Sequence, residues 1–321
     1  MPPASEPHKR GLLYFVFTPY KLHNRTNPMS LLNTLKFLAN HPLNTDRKLQ
    51  TICRFIGWQI SSRLTPYPVI YPFTVKSKLI IQKGMCGATG NLYCGLHEFQ
   101  DMSFLLHLLR AGDLFVDVGA NVGGYTVLAS AHVEAETIAI EPAPSTYAKL
   151  QANIRINDMC DRVHALNIAL GSTAGVVNFT TSLDTTNHVV VGNEAADTVE
   201  ISIDTLDNVL EHQSPILLKI DVEGFETEVL KGAKETLQNE SLKGIIIELN
   251  GLSERYGVEN RKNHEALLGY GFLPYTYDPF KKVLSKCDTF GDLNTIYIRD
   301  VDFVKDRLKT ADKVYLRNQA I

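Results

Sequence analysis

The chain has 321 residues, enough for one large domain or for a domain with an extension. Hydrophobic residues make up 44% and charged residues 21%, a globular rather than disordered balance, and no apolar run approaches the ~20 residues of a membrane span. The net charge of −3 is unevenly spread: residues 1–85 carry 12 Lys and Arg against 2 Asp and Glu, and residues 86–321 carry 20 against 33.

A basic extension on an acidic core suits contact with an anionic surface or a phosphorylated carrier. It also suits docking on its own acidic domain or on a second copy in a homo-oligomer, and the scattered spacing of the basic residues favours this second use. The apolar run Leu12 to Phe17 follows two basic residues but has no small-residue cleavage pattern, which argues against a signal peptide. Five scattered cysteines form no Cys-x-x-Cys pair and read as reduced thiols of a cytoplasmic protein.

Residues 1–110 hold nine of the fourteen prolines, yet Met29 to Arg63 keeps a helical pattern. Leu31, Leu35 and Leu38 form one stripe; Leu49, Ile52, Cys53, Ile56 and Ile60 form another, and His41-Pro42-Leu43-Asn44 separates them. Thr65 to Pro72 is expected to be extended, Val75 to Ile81 a strand, and Phe99 to Leu109 an amphipathic helix.

From Asp113 onward strands and helices alternate. Strands are expected at Leu114–Val118, Thr137–Ile140, Val163–Leu166, Ile216–Ile220 and Gly244–Leu249, with helices at Gly124–His132, Ser145–Asn157 and Phe225–Gln238. This pattern predicts an α/β fold with a mostly parallel, doubly wound sheet. An insertion spans residues 170–203, with added strands at Val176–Thr180 and Thr198–Ile203. Further strands at Phe272–Tyr277 and Thr295–Arg299 fit a reversed terminal hairpin.

The first strand runs into Asp117-Val118-Gly119-Ala120-Asn121-Val122-Gly123-Gly124-Tyr125-Thr126. A strand ending in a glycine turn before a helix is a cofactor-binding arrangement. The Gly-x-Gly-x-x-Gly spacing of a dinucleotide site is absent. A carboxylate before the turn repels phosphate and attracts an ammonium, which points to S-adenosylmethionine. Glu141 lies 24 residues beyond Asp117, at the tip of the next strand, where a carboxylate accepts ribose hydroxyls.

These residues resemble the FkbM family of S-adenosylmethionine-dependent methyltransferases. The resemblance covers roughly Asn91 to Glu248 and rests on four ordered motifs: Phe115 to Thr126, Ile140-Glu-Pro-Ala-Pro144, Ile203-Asp-Thr-Leu-Asp207, and Leu218-Lys-Ile-Asp-Val-Glu-Gly-Phe-Glu226 followed by Val229-Leu-Lys-Gly-Ala233. It implies a Rossmann-like class I methyltransferase sheet over residues 86–321, with residues 1–85 as a helical and extended cap. It also implies methyl transfer to a hydroxyl of a small-molecule, glycan or natural-product acceptor.

Cofactor contacts are expected from Asp117, Gly119, Asn121, Gly123, Tyr125, Thr126, Glu141 and Pro142, with Asn167 on the adenine side. Glu98 aligns with a family glutamate and either touches the ligands or caps a helix. Asp221 closes the fourth strand at the ligand-binding edge and is the first candidate for base or positioning chemistry. Lys219 shares its strand face by period two, and Glu223 continues the series if the chain stays extended. His188 has the intrinsic pKa of a base near neutrality and sits in the polar insertion. Asp221, Glu223 and Glu248 could supply oxygen ligands to a divalent ion, but no Asp-Asp pair follows the fourth strand and the sequence commits to no metal.

Two other functions use the same fold: an NAD-type oxidoreductase and a non-catalytic cofactor-binding adaptor. The missing dinucleotide spacing speaks against the first, and the intact acids at three strand ends against the second. A nucleic-acid substrate is disfavoured by the absence of an Asn-Pro-Pro-Tyr type motif.

Overall fold

The structure, a computed structural model, describes residues 31–181, 187–190, 197–317 and 319–321. The run Leu12 to Phe17 and the insertion residues Thr185 and Thr186 lie outside them.

Helices α1 (Leu31–Asn40) and α2 (Lys48–Leu64) flank a 3-10 turn over Pro42–Arg47. The strands β1 (Val69–Pro72) and β2 (Lys78–Ile81) follow, then α3 (Cys86–Cys94) and α4 (Phe99–Leu108). The alternating part begins with β3 (Leu114–Val118), α5 (Gly124–Val127), β4 (Glu136–Ile140), α6 (Pro144–Ile156) and β5 (Val163–Leu166). The insertion supplies β6 (Ala169–Leu170), β7 (Gly175–Thr180) and β8 (Thr198–Asp204), which form a separate three-stranded sheet. Then come α7 (Leu206–Leu210), β9 (Leu217–Ile220), α8 (Glu226–Lys231), α9 (Lys234–Gln238) and β10 (Gly244–Glu248). Next come α10 (Asn260–Gly269), β11 (Leu273–Asp278), β12 (Val283–Lys286), β13 (Asn294–Ile298) and α11 (Val301–Lys309), and a short antiparallel pair, β14 (Tyr315–Leu316) and β15 (Gln319–Ala320), follows.

The main sheet has the order β12-β11-β13-β10-β9-β3-β4-β5. Strands β10, β9, β3, β4 and β5 are parallel neighbours, and β13 enters antiparallel between β10 and β11. The reversed hairpin therefore stands where the sequence puts it, and β12 extends it by one strand. The parallel strands are apolar on both faces because both faces are covered. Phe115 faces a core shared with Leu38, Leu43 and Phe55 of the N-terminal helices, whereas Val116 and Val118 face a second core with Leu218, Ile220 and Ile247. The N-terminal helices are tied down by polar bonds as well. Asn44 Nδ2 donates to the Leu38 and Tyr93 carbonyls (3.0 and 3.3 Å), and Arg54 donates to the Tyr93 carbonyl at 3.0 Å.

The structure adds helices α7, α10 and α11 and strands β6 and β12 to the sequence reading, and three further elements differ from it. The extended segment before Pro72 is half of an antiparallel hairpin with β2. Helix α3 was hidden by Gly87 and Gly90, which weaken its helical pattern. The helix expected over Phe225–Gln238 is split in two at Gly232. A Cβ there would stand 2.0 Å from the Gly171 carbonyl oxygen, so the insertion packs directly on the backbone at the break. Among the described residues, no helix is long and apolar enough to cross a membrane, and no disulfide joins the five cysteines.

Candidate active site

The C-terminal ends of β3, β4, β9 and β10 open on one cavity of about 720 Å³, the edge at which open α/β sheets bind ligands. The turn after β3 forms its floor. Gly119 (φ +79°) and Asn121 (φ 52°) both take the left-handed conformation, which glycine and asparagine tolerate best. The Gly119 Cα also lies against β9: a Cβ would stand 1.9 Å from the Asp221 carbonyl oxygen. Glycine at this position lets the turn and the end of β9 converge.

Glu141, at the tip of β4, is buried and lines the cavity. Its Oε2 accepts the Asn121 backbone N–H and its Oε1 the Ala143 N–H, both at 2.9 Å. Burial pushes this carboxyl up to about 7, and the two N–H bonds oppose the shift. Each oxygen keeps a lone pair for a further donor, which suits a pair of ribose hydroxyls. The residues present therefore fit a nucleoside-bearing cofactor at this turn.

Asp117 is placed differently from expectation. It is 1% exposed and lies beneath the cavity floor, not on its lining. Thr126 donates both its backbone N–H and its hydroxyl to Asp117 Oδ2, at 3.1 and 2.7 Å. Burial raises the Asp117 carboxyl, and Lys219 and Thr126 pull it back. Thr126 and Gly123 likewise support the turn without lining the cavity. Asn167 donates to the Glu141 and Pro142 carbonyls (2.8 and 2.9 Å) and so braces the loop after β4 from behind.

The far wall is a charged network. Lys219 Nζ donates to Asp221 Oδ2 at 3.1 Å and sits 4.8 Å from the centre of the Tyr125 ring. Tyr125 donates its hydroxyl to Glu98 Oε2 at 2.5 Å. Burial alone would lower the Lys219 ammonium, but Asp221, Asp117 and Glu98 outweigh it and hold the group above the usual lysine range. Burial raises Glu98, and it lifts Asp101, beside it, to about 7.

Asp221, Glu223 and Glu248 each bring one carboxylate oxygen to within 4.8 Å of the others, and all three line the cavity. Glu223 and Glu248 are buried; Asp221 is partly open to solvent. Three oxygen donors at one point suit either proton transfer from a hydroxyl or a hard divalent cation. Glu223 is not in an extended continuation of β9. Its φ of 59° puts it in a left-handed turn ahead of Gly224.

The structure thus gathers Glu98, Gly119, Asn121, Tyr125, Glu141 and Pro142 around the same cavity as Lys219, Asp221, Glu223 and Glu248. It does not bring His188 there. That residue is buried, and its backbone exchanges hydrogen bonds with Thr180 (2.9 and 3.0 Å), while its neighbours Asn187 and Val189 line the cavity. The sequence reading missed Asp101 and Asn294, whose side chains bond at 3.3 Å from elements far apart in the chain. It also missed an aromatic lobe formed by Phe37, Phe55, Trp58, Tyr93 and Phe99.

Comparison with known proteins assigns this arrangement. The profile of the methyltransferase FkbM domain matches residues 117–274. Methyltransferase sdnD of Sordaria araneosa is 30% identical in an alignment that covers 47% of this chain and 71% of that protein. The chain belongs to the FkbM methyltransferase family. Hexuronic acid methyltransferase AglP of Haloferax volcanii is 34% identical, over 46% of this chain and 59% of AglP. A solved methyltransferase FkbM from Methylobacillus flagellatus aligns with a TM-score of 0.41 at 16% identity, covering 78% of this chain and 60% of that one. The FkbM profile begins at Asp117 and ends within β11, so it spans the turn, the insertion and the carboxylate cluster. The cavity is thus the candidate active site of a methyltransferase with a Rossmann-like class I sheet.

Proposed function

We propose that this FkbM methyltransferase moves the methyl group of S-adenosylmethionine to a hydroxyl of a sugar or hydroxylated natural product. The observation that carries the reading is the meeting of Asp221, Glu223 and Glu248 in the same cavity as Glu141 and its turn. The name of AglP, a hexuronic acid methyltransferase, supports a sugar acceptor.

When bound, the cofactor supplies an electrophilic methyl group on a sulfonium. Glu141 accepts the ribose hydroxyls, and Asn121 fixes the turn beside it through its N–H bond to the same carboxylate. Asp117 acts as a positioning residue, holding Thr126 at the start of the helix and Lys219 across the sheet. Asp221 accepts the proton of the acceptor hydroxyl, while Lys219 holds its carboxylate in place. Holding donor and acceptor in line can itself lower the barrier by up to ~7–11 kcal/mol in ideal cases. The same three carboxylates would hold a divalent cation, which would acidify the acceptor hydroxyl.

The test is transfer of a radiolabelled methyl group to a panel of sugars, with wild type beside Asp221→Asn. Labelled product from wild type, and a loss of about 10²–10⁴-fold in the variant with cofactor binding intact, support the reading. Wild-type turnover in the variant places the base elsewhere. Loss of turnover in chelator-treated protein, restored by added magnesium, favours the cation.

A further inference from the structure

We propose that the outer face of α2 seats this enzyme on an anionic lipid surface. Leu49, Cys53, Ile56, Ile60 and Leu64 recur at helical spacing and make one stripe. Leu49 is 75% exposed, Ile56 49%, Ile60 55% and Leu64 78%, and Cys53 is exposed as well. The opposite face buries Thr51, Phe55 and Ser62. The helix therefore buries one face within the described fold and leaves the apolar stripe on its other face exposed. The chain leaving α2 continues with exposed Tyr67, Val69 and Ile70. Contiguous exposed apolar surface of this kind marks an interaction site.

The charge around the stripe selects the partner. Residues 31–85 carry eight Lys and Arg and a single acid, Asp46. Lys48, exposed, starts α2 next to Leu49 of the stripe, and Lys36 is exposed on α1, whereas Arg63 turns to Gln59 on the cavity side. An apolar stripe bordered by long basic side chains is the pattern of a helix lying in a headgroup layer, with Leu and Ile in the acyl boundary and ammonium groups on the phosphates. A second copy placed face to face would set two basic surfaces against each other. Protein interfaces are also centred on aromatic and Arg anchors, whereas this stripe is aliphatic. The inner face of the same helix contributes Phe55, Trp58 and Gln59 to the cavity, so docking would bring the cavity wall to within one helix diameter, ~10 Å, of the lipid.

The test is co-sedimentation of the full-length protein with vesicles of phosphatidylcholine alone or with phosphatidylglycerol added. Binding is expected only with the anionic lipid, with release at high salt. Ile56→Asp/Ile60→Asp should lower partitioning about tenfold or more, with an unchanged melting temperature because both side chains are exposed. Lys36→Glu/Lys48→Glu, which leaves the stripe intact, should weaken binding in parallel. Failure of the wild type to bind anionic vesicles, or equal binding by both variants, overturns the proposal. So does a dimer in light scattering that the stripe variant converts to monomer in the absence of any vesicle binding.

Discussion

Lys219 and Asp221 are two residues apart on β9 and meet at 3.1 Å, while Lys219 is registered directly against Asp117 on β3. One buried ammonium therefore neutralises the carboxylates of two adjacent strands and, through Tyr125, stands beside a third at Glu98. This cation links the support beneath the cofactor turn to the group proposed to accept the acceptor's proton.

Removing that cation should be costly. Lys219→Met leaves Asp117 and Asp221 without their countercharge, and loss of one partner from a buried ionic cluster destabilises by about 3–5 kcal/mol. Urea unfolding of the variant should show this loss, and Asp117→Asn in the same chain should restore part of it. A single variant as stable as wild type would mean that the ammonium is not the centre of the network.

Gly119→Ala should be among the most damaging substitutions of the turn. The added methyl would stand 1.9 Å from a backbone oxygen of β9, where no side chain can move aside, and φ is +79°. The expected outcome is a loss of about 3 kcal/mol or more, or no soluble protein. A thermal melt within ~2 °C of wild type would contradict the close approach of turn and strand.

Glu226 gives a pH signature. It is buried, accepts the Gly224 and Val222 N–H groups at 3.0 and 3.3 Å, and is pushed up to about 7 from 4.5, chiefly by burial. With the folded pKa above the unfolded one, the native state holds the extra proton. The contribution is fully present below about pH 4.5 and is lost as pH rises through about 7. The full span corresponds to about 3 kcal/mol. Glu226→Gln keeps an oxygen acceptor without the titration, so its stability should fall less between these limits. Parallel stability–pH curves for variant and wild type would remove Glu226 from the account.

The parallel sheet was legible because its strands are short apolar runs set between helical patterns, and the ligand edge was legible because acids stand at the strand ends. Glu141 and Asp221 fell out of that pattern directly. Asp117 did not, because it lies one residue short of the edge. Period two puts it on the face of Phe115, and its register partner there is Lys219, which no single-strand reading can supply. Asp101 and Asn294 come from α4 and from the start of β13, so only the folded chain makes them neighbours. In the sequence His188 is marked by its chemistry and by its place in the polar insertion, neither of which fixes its depth. Its depth is set by pairing of the insertion strands, including the Phe179 and Val189 bridge.

Glu223 occupies a left-handed backbone position beside a functional cluster, where glycine would sit without strain. Glu223→Gly should therefore keep stability within about 1 kcal/mol of wild type while methyl transfer drops sharply. Wild-type turnover in a folded variant would reduce Glu223 to a turn residue.

The central claim is the cofactor, and calorimetric titration with S-adenosylhomocysteine tests it most directly. Wild type, Glu141→Ala and NAD as a comparison ligand belong in one experiment. S-adenosylhomocysteine should bind the wild type, the variant should bind about 10–100-fold more weakly for the loss of charged acceptors to the ribose, and NAD should give no heat. Binding of NAD instead, or an unchanged affinity in folded Glu141→Ala, would contradict the assignment of this cavity.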